Sequence, residues 1–169
     1  MLTSTIITSL LWFAALSTAL MAGIYFAFSS FVMDSLAKID NSSGIKAMQS
    51  INKTILSSSF MPLFFGSSIV AAILAILSIY EFEGLVSYVT TISSLIYIFG
   101  MFLCTAMFNV PLNKILADTS VESSQSIQIW KHYLDTWTKW NHLRTVTSTL
   151  SSGLFIYALT IQVTTNSGL

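Results

Sequence analysis

The sequence predicts an all-α fold: an integral membrane, antiparallel four-helix bundle with a short interfacial helix in its first loop. Of its 169 residues, 54% are hydrophobic and only 8% are charged, whereas about a quarter of the residues of a soluble domain are charged. The apolar residues also form four stretches, each long enough to cross a hydrocarbon core about 30 Å thick. We therefore expect a single transmembrane domain over residues 1–169.

The four expected spans cover residues 5–33, 60–80, 85–108 and 143–163. The first span contains no charged residue. Pro62 lies near the start of the second span, where proline is tolerated because the first helical turn does not need its missing N–H. Residues 81–84 leave room only for a tight turn, so the second and third spans are expected to pack antiparallel.

Two longer polar segments, residues 34–59 and 109–142, are expected to be loops on the same side of the membrane. Within the first loop, apolar residues recur at intervals of three and four, at Ile45, Met48, Ile51 and Ile55. This period is typical of an amphipathic helix lying along the membrane surface. The resulting topology is up-down-up-down.

The distribution of charge predicts the orientation of the bundle. All seven Lys and Arg residues lie in or beside the two long loops, whereas the opposite side carries only Glu81 and Glu83. By the positive-inside rule, this multi-pass protein has both loops in the cytoplasm and both termini outside. The net charge is zero and there is no basic stripe, which excludes nucleic acid as a partner.

The segment from Trp130 to Arg144 is the most distinctive part of the chain. It contains three of the four tryptophans, both histidines and the only arginine, directly before the fourth span. Side chains at helical spacing then place polar and aromatic groups on one face: Trp137, Trp140 or Asn141, Arg144, Ser148 and Ser151.

A second polar stripe lies near the end of the third span, where Thr105, Asn109 and Asn113 are spaced by four. An unsatisfied polar group costs several kcal/mol in hydrocarbon. We therefore expect the two stripes to face each other and to line a cavity.

Each of these residues also has a plainer interpretation. The tryptophans can form an aromatic belt at the membrane surface, and Arg144 can extend its side chain to the lipid headgroups. His142 can act as an interfacial hydrogen-bonding residue, and Asn109 and Asn113 can link neighbouring helices.

Other chemistries find little support in the sequence. The only cysteine, Cys104, lies in an apolar stretch and is interpreted as a buried, inert thiol. His132 and His142 are ten residues apart without nearby ligand residues, which matches no zinc, copper or haem pattern. No metal site is expected. The chain also contains no Gly-rich phosphate loop and no GxSxG nucleophile motif.

Four motifs together resemble the anthrone oxygenase-like family of small four-span membrane proteins. They are Gly23-Ile-Tyr25-x-x-Phe28-Ser29 with Val32-Met33, Met48-x-x-Ile51-Asn52, Asn109-Val-Pro111-Leu-Asn113, and Trp137-x-x-Trp140-Asn141-x-x-Arg144. The resemblance covers nearly the whole chain. It implies oxidation of an anthrone to an anthraquinone by dioxygen, without an organic cofactor.

An anthrone carries an acidic CH, and its enolate can pass an electron to dioxygen, so such an enzyme needs a base and donors for the oxyanion. On this hypothesis His142 is the base, while Arg144, Asn109, Asn113 and Asn141 hold the oxyanion. Trp137 or Trp140 would stack on the substrate, and the further candidates for substrate binding are Tyr25, Thr105 and Ser148.

A function from another class remains open: a non-catalytic membrane subunit, or a protein that binds a lipid or a quinone. Its expected partners are membrane lipids and a hydrophobic aromatic or lipid-like ligand, and small residues such as Gly23 and Ser67 would also suit a homo-oligomer. A cavity reached by His142 or Arg144 would favour an enzyme, whereas tightly interlocked stripes would favour an assembly role.

Overall fold

The described parts of the chain, residues 2–80 and 83–167 of a computed structural model, fold into seven α-helices with three short π-helical segments. The α-helices are α1 (Leu2–Ala27), α2 (Met33–Lys38), α3 (Asn41–Ile55), α4 (Phe60–Tyr80), α5 (Gly84–Tyr97), α6 (Val110–Ala117) and α7 (Ser126–Ser167). The π-helical segments are Phe28–Val32, Ile98–Leu103 and Thr105–Asn109. The predicted all-α class is confirmed.

Four helical stretches are long and apolar enough to cross a membrane: Thr5–Lys38, Phe60–Tyr80, Gly84–Ala117 and Ser126–Thr164. They pack in a ring in which α1 contacts α4 and α7, while α5 contacts the same two helices. This arrangement confirms the predicted four-helix bundle of a membrane protein. The side of the membrane on which each end lies stays a prediction.

The two predicted loops are mostly helical. The first span continues to Lys38, and α7 already begins at Ser126, so residues 118–125 are the only non-helical part of the second predicted loop. A helix satisfies its own backbone hydrogen bonds outside lipid as well as inside it, so polar side chains do not end it. Exposed pairs such as Lys139–Asp135 support this extension at i,i+4 spacing.

Helix α3 confirms the amphipathic helix predicted in the first loop. The Asp40 carboxylate caps it by accepting a hydrogen bond from the Ser43 N–H (2.9 Å), and hydrogen bonds from the side chain and the backbone of Ser43 lower the pKa of Asp40. Ile45 and Met48 on its apolar face are each 1% exposed and pack with Trp130. That part of the apolar face therefore packs against protein, although the sequence predicted a helix lying along the membrane surface.

At the opposite end of the bundle, α4 and α5 are joined by a short connection. Gly84 starts α5 with a φ of +59°, a left-handed conformation that glycine adopts without steric cost. This agrees with the predicted turn at 81–84, of which Glu81 and Phe82 lie outside the described residues.

Small and hydroxylated residues fix the helices against one another inside the bundle. Ser93 and Ser151 exchange hydrogen bonds, each hydroxyl donating to the other residue's carbonyl (2.8 and 2.6 Å). A Cβ at Gly100 would overlap the side chain of Thr147. Such close approach of one helix to the backbone of another at a small residue is typical of helix contacts in membranes.

Candidate functional site

A partly open cavity of about 320 Å³ lies at the end of the bundle that carries α3. This volume falls at the lower end of the range for small-molecule sites. Its lining is mostly apolar and includes seven aromatic side chains: Tyr25, Phe28, Phe60, Phe64, Phe65, Phe102 and Trp137. The cavity therefore suits a flat, apolar molecule.

Arg144 provides the only charged side chain among the described residues that line the cavity. It is 4% exposed, and its guanidinium carbon lies 4.4 Å from the ring centre of Tyr25 and 5.0 Å from that of Trp137. Guanidinium groups commonly stack on aromatic faces in this way.

The hydrogen bonds of Arg144 go to neutral side chains. Nη2 donates to Asn141 Oδ1 (2.7 Å) and Nη1 to Thr105 Oγ1 (3.4 Å), while Nε is buried without a partner. The salt bridges found in the described chain are the exposed pairs Lys38–Asp34 and Lys139–Asp135. Among the described residues, Arg144 is thus a buried cation without a carboxylate partner, a costly arrangement that makes it a candidate for a functional role.

Asn141 lies behind the cavity wall and holds the Arg144 guanidinium in place by a hydrogen bond. Its side-chain N–H group donates to the Tyr25 carbonyl and to the Ser29 hydroxyl, both at 2.7 Å, which leaves Oδ1 to accept from Arg144. Asn141 and Arg144 are three residues apart on α7 and therefore share one helical face. The side chain of Asn141 thereby connects α7 to α1.

A second set of hydrogen-bonded polar side chains borders the cavity beside α3. The Tyr133 hydroxyl donates to Asn113 Oδ1 (2.8 Å) and accepts from the Asn52 amide (3.3 Å). Asn52 and Asn113 both line the cavity. This relay connects α3, α6 and α7, and its groups already satisfy one another.

Each of the three π-helical segments contributes to the cavity wall. Phe28, Phe102 and Thr105 belong to one segment each, and all three side chains line the cavity. A π-helical turn contains an extra residue, which rotates the side chains that follow it, and such turns occur often at functional sites. Their grouping around one cavity is a second sign of function, independent of Arg144.

The structure brings five of the ten predicted site residues to the cavity: Tyr25, Thr105, Asn113, Trp137 and Arg144. Asn109 and Asn141 lie behind this wall, fully buried, and the Asn109 amide donates to the Trp137 carbonyl (3.2 Å). The two predicted polar stripes therefore do face each other.

Trp140, Ser148 and His142 are not part of the cavity lining. Trp140 stacks on Phe108 with ring centres 3.8 Å apart, and Ser148 is buried elsewhere on α7. His142 is exposed. The expectation that it would share the cavity with Arg144 is not met, because successive helical residues point about 100° apart and Asn141 and Arg144 already take the inward face.

Several lining residues were absent from the sequence-based candidates. Phe28, Met48, Ile51 and Asn52 belong to the motifs that carry the family resemblance, and their positions in the cavity wall give those motifs a structural role. Phe60 and Phe64 stack at i,i+4 spacing with centres 5.9 Å apart. Apolar residues in a span give no sign of whether they face lipid or a cavity.

The described residues do not contain a group of three or more His, Cys, Asp or Glu side chains that could hold a metal ion. Cys104 is buried, and its thiol lies 3.8 Å from the Trp140 carbonyl. The polar chemistry of the cavity therefore comes from a guanidinium, amides and hydroxyls.

The fold and the cavity together define a class: small four-helix membrane proteins with an aromatic, cationic cavity at one end of the bundle. A family model described as anthrone oxygenase matches residues 58–154, more than half of the chain, including Thr105 and Arg144. The chain belongs to the anthrone oxygenase family. No curated protein and no solved structure matches it.

Proposed function

We propose that this protein is a membrane oxygenase that oxidises an anthrone-like aromatic substrate to the quinone with dioxygen. The observation that carries the proposal is the unpaired, buried guanidinium of Arg144 in the wall of an aromatic cavity. Membership of the anthrone oxygenase family supports the same reaction class.

The substrate's flat rings would lie among the aromatic side chains, with the Trp137 and Tyr25 rings framing its oxygen-bearing end. Arg144, whose side chain lines the cavity, would then donate to the substrate oxygen. Because the surroundings are apolar, a charge-assisted hydrogen bond here is stronger than in water. This bond favours the enolate over the neutral anthrone and so assists loss of the CH proton.

The reaction then balances without an added reductant. The enolate passes one electron to dioxygen, and the resulting carbon radical and superoxide combine at the former CH₂ carbon. After proton uptake the hydroperoxide loses water, which leaves a carbonyl at that carbon. The sum is anthrone plus O₂ to anthraquinone plus H₂O, with one oxygen atom retained in the product.

The proton is removed without a protein base in this scheme. Neither a carboxylate nor an imidazole belongs to the described cavity lining, and His142 is exposed on α7. We propose that water beside Asn52 and Asn113, the half-buried amide side chains of the cavity lining, takes the proton, because Arg144 has already stabilised the anion that remains. The contribution of the protein is electrostatic stabilisation and orientation.

The test is aerobic turnover of anthrone by the purified protein, followed by quinone absorbance and oxygen uptake. We expect one O₂ consumed per quinone at a rate above spontaneous oxidation, and a loss of about 100-fold in Arg144→Met. Lys139→Met removes another cation of α7, which is exposed and paired with Asp135, and should leave the rate unchanged. Equal rates in Arg144→Met and the unaltered protein would refute the proposal.

A second candidate function is binding of a quinone or lipid-like molecule without turnover. The open, apolar cavity favours this alternative over a tightly interlocked assembly subunit. Saturable quinone binding that depends on Arg144, combined with anthrone oxidation at the spontaneous rate, would establish it in place of the oxygenase.

A further inference from the structure

The cavity is open where α4 separates from the third membrane-crossing stretch. α4 packs along α5 and the segment Ile98–Leu103, but makes few or no contacts with Thr105–Asn109 or with α3. The two helices are therefore close over most of their length and part at the level of the cavity.

The edges of this opening are apolar and exposed. Leu56 is 67% exposed, Phe65 47% and Val110 51%, and all three line the cavity, as does the exposed Ala106. Phe65 is five residues into α4, about 7.5 Å along the helix from Phe60. An opening at this depth, between helices apolar enough to cross a membrane, would lie within the bilayer, near the membrane surface on the side of α3.

A continuous series of ring contacts connects the opening with Arg144. Centre-to-centre distances are 6.3 Å for Phe65–Phe102, 5.4 Å for Phe102–Phe64, 5.9 Å for Phe64–Phe60 and 6.4 Å for Phe60–Tyr25. The Tyr25 ring lies in turn against the guanidinium of Arg144. Each ring offers a face or an edge on which a flat aromatic molecule can pack.

We infer that the cavity takes up its substrate from the bilayer, through the gap between α4 and Thr105–Asn109, along this aromatic series. The class of ligand is a flat lipophilic molecule with one oxygen-bearing end. The inference rests on the proposed substrate site and adds the route to it. Phe65 and Ala106, at the edge of the gap, then determine which molecules pass.

The test measures binding, independent of turnover, in proteoliposomes. Trp137 lines the cavity, whereas Trp12 is exposed on α1, so Trp12 is first replaced by Phe in every protein compared; a quinone that reaches the cavity then quenches tryptophan fluorescence in a saturable phase. The two probes are anthraquinone, which dissolves in the bilayer, and anthraquinone-2-sulfonate, which stays in water. For the unaltered protein we expect anthraquinone to associate at least about tenfold faster than the sulfonate.

Two variants and a control locate the route. Ala106→Phe narrows the gap and should slow association of anthraquinone about tenfold, whereas Phe65→Ala widens it and should accelerate association. Ala19→Phe adds the same side chain at an exposed position of α1 outside the cavity lining and should change nothing. Equal rates for both probes, or no effect of either gap variant, would overturn the inference.

This outcome is separable from that of the oxygenase test. If the probes bind as expected but anthrone is not oxidised, the route stands and the oxygenase proposal fails. If anthrone is oxidised but the gap variants bind anthraquinone at the unaltered rate, the oxygenase stands and the bilayer route fails.

Discussion

Helix α7 carries two buried polar clusters that differ in how completely they satisfy themselves. Ser151 and Ser93 exchange two hydrogen bonds and leave no hydroxyl unused. Seven residues earlier, about 10 Å along the helix, Arg144 bonds Asn141 and Thr105 but retains a positive charge and an unpartnered Nε.

The two clusters show how a membrane bundle separates stability from function. A closed pair of hydroxyls stabilises helix contact and offers nothing to a ligand, because its donors are occupied. An open cation is costly to bury, and this cost is offset when a ligand supplies the missing oxygen. Only the Arg144 cluster borders the cavity. The following predictions test this distinction, from the largest expected effect to the smallest.

Asn141→Asp keeps the side-chain shape and should close the open cluster by adding a negative charge; it also removes the hydrogen bond that the amide donates to the Tyr25 carbonyl. The new carboxylate would lie where Oδ1 now accepts from Nη2 at 2.7 Å, so it would pair with the guanidinium and weaken its hold on a substrate anion. We expect turnover of anthrone to fall about 100-fold. Unchanged turnover, measured by quinone absorbance with folding checked by gel filtration, would show that the free charge of Arg144 is not used.

The double substitution Ser93→Ala with Ser151→Ala should lower stability without lowering turnover. Removing both interhelical hydrogen bonds should lower the free energy of unfolding by about 1 kcal/mol and leave turnover per folded molecule unchanged. Denaturation in mixed detergent micelles measures the first quantity. Ser148→Ala is the matched control, because this buried hydroxyl has no partner among the described residues and its loss should not destabilise the fold. Equal destabilisation by both changes would contradict the role of the pair.

Acid should destabilise the protein at the exposed cap of α3. The buried Ser93–Ser151 pair should not respond to pH, because hydroxyl pairs do not titrate. The pKa of Asp40 is lowered by the Ser43 hydrogen bonds, so its cap on α3 contributes fully above the unfolded-state pKa. That contribution is lost as the pH falls through the lower, folded-state pKa. In Asp40→Asn the cap remains but does not titrate. The unfolding temperature should therefore fall less between neutral and acid pH in this variant than in the unaltered protein. An identical fall in both proteins would show that Asp40 does not contribute to the loss of stability in acid.

His142→Ala should have the smallest effect. The imidazole is exposed and outside the cavity lining, so we expect turnover within about twofold of the unaltered protein across the pH range. A large loss of turnover, with a changed pH profile, would instead restore the sequence-based hypothesis that His142 is the base.

The sequence predicted the bundle well because four long apolar stretches admit few alternatives in a membrane. It also predicted that the stripes containing Thr105 and Arg144 meet, since buried polar groups must find partners. It did not predict that the helices extend into the polar segments, as far as Lys38 and through Pro111.

The details of the site were less predictable. His142 and Arg144 are two residues apart, and the sequence alone does not fix which of them turns inward. The π-helical segments leave no recognisable mark in composition, yet they rotate Phe28 and Phe102 into the cavity wall. Tertiary packing decides both features.

The central claim is that Arg144 stabilises a ligand oxyanion inside the cavity, and the most direct measurement is the ionisation of a bound chromophore. 2-Hydroxyanthraquinone changes colour when its phenol ionises, so absorbance gives the pKa of the bound probe. The account predicts a lower pKa on the unaltered protein than on Arg144→Met, by about one to two units for a charge-assisted hydrogen bond. The same pKa on both proteins would contradict it.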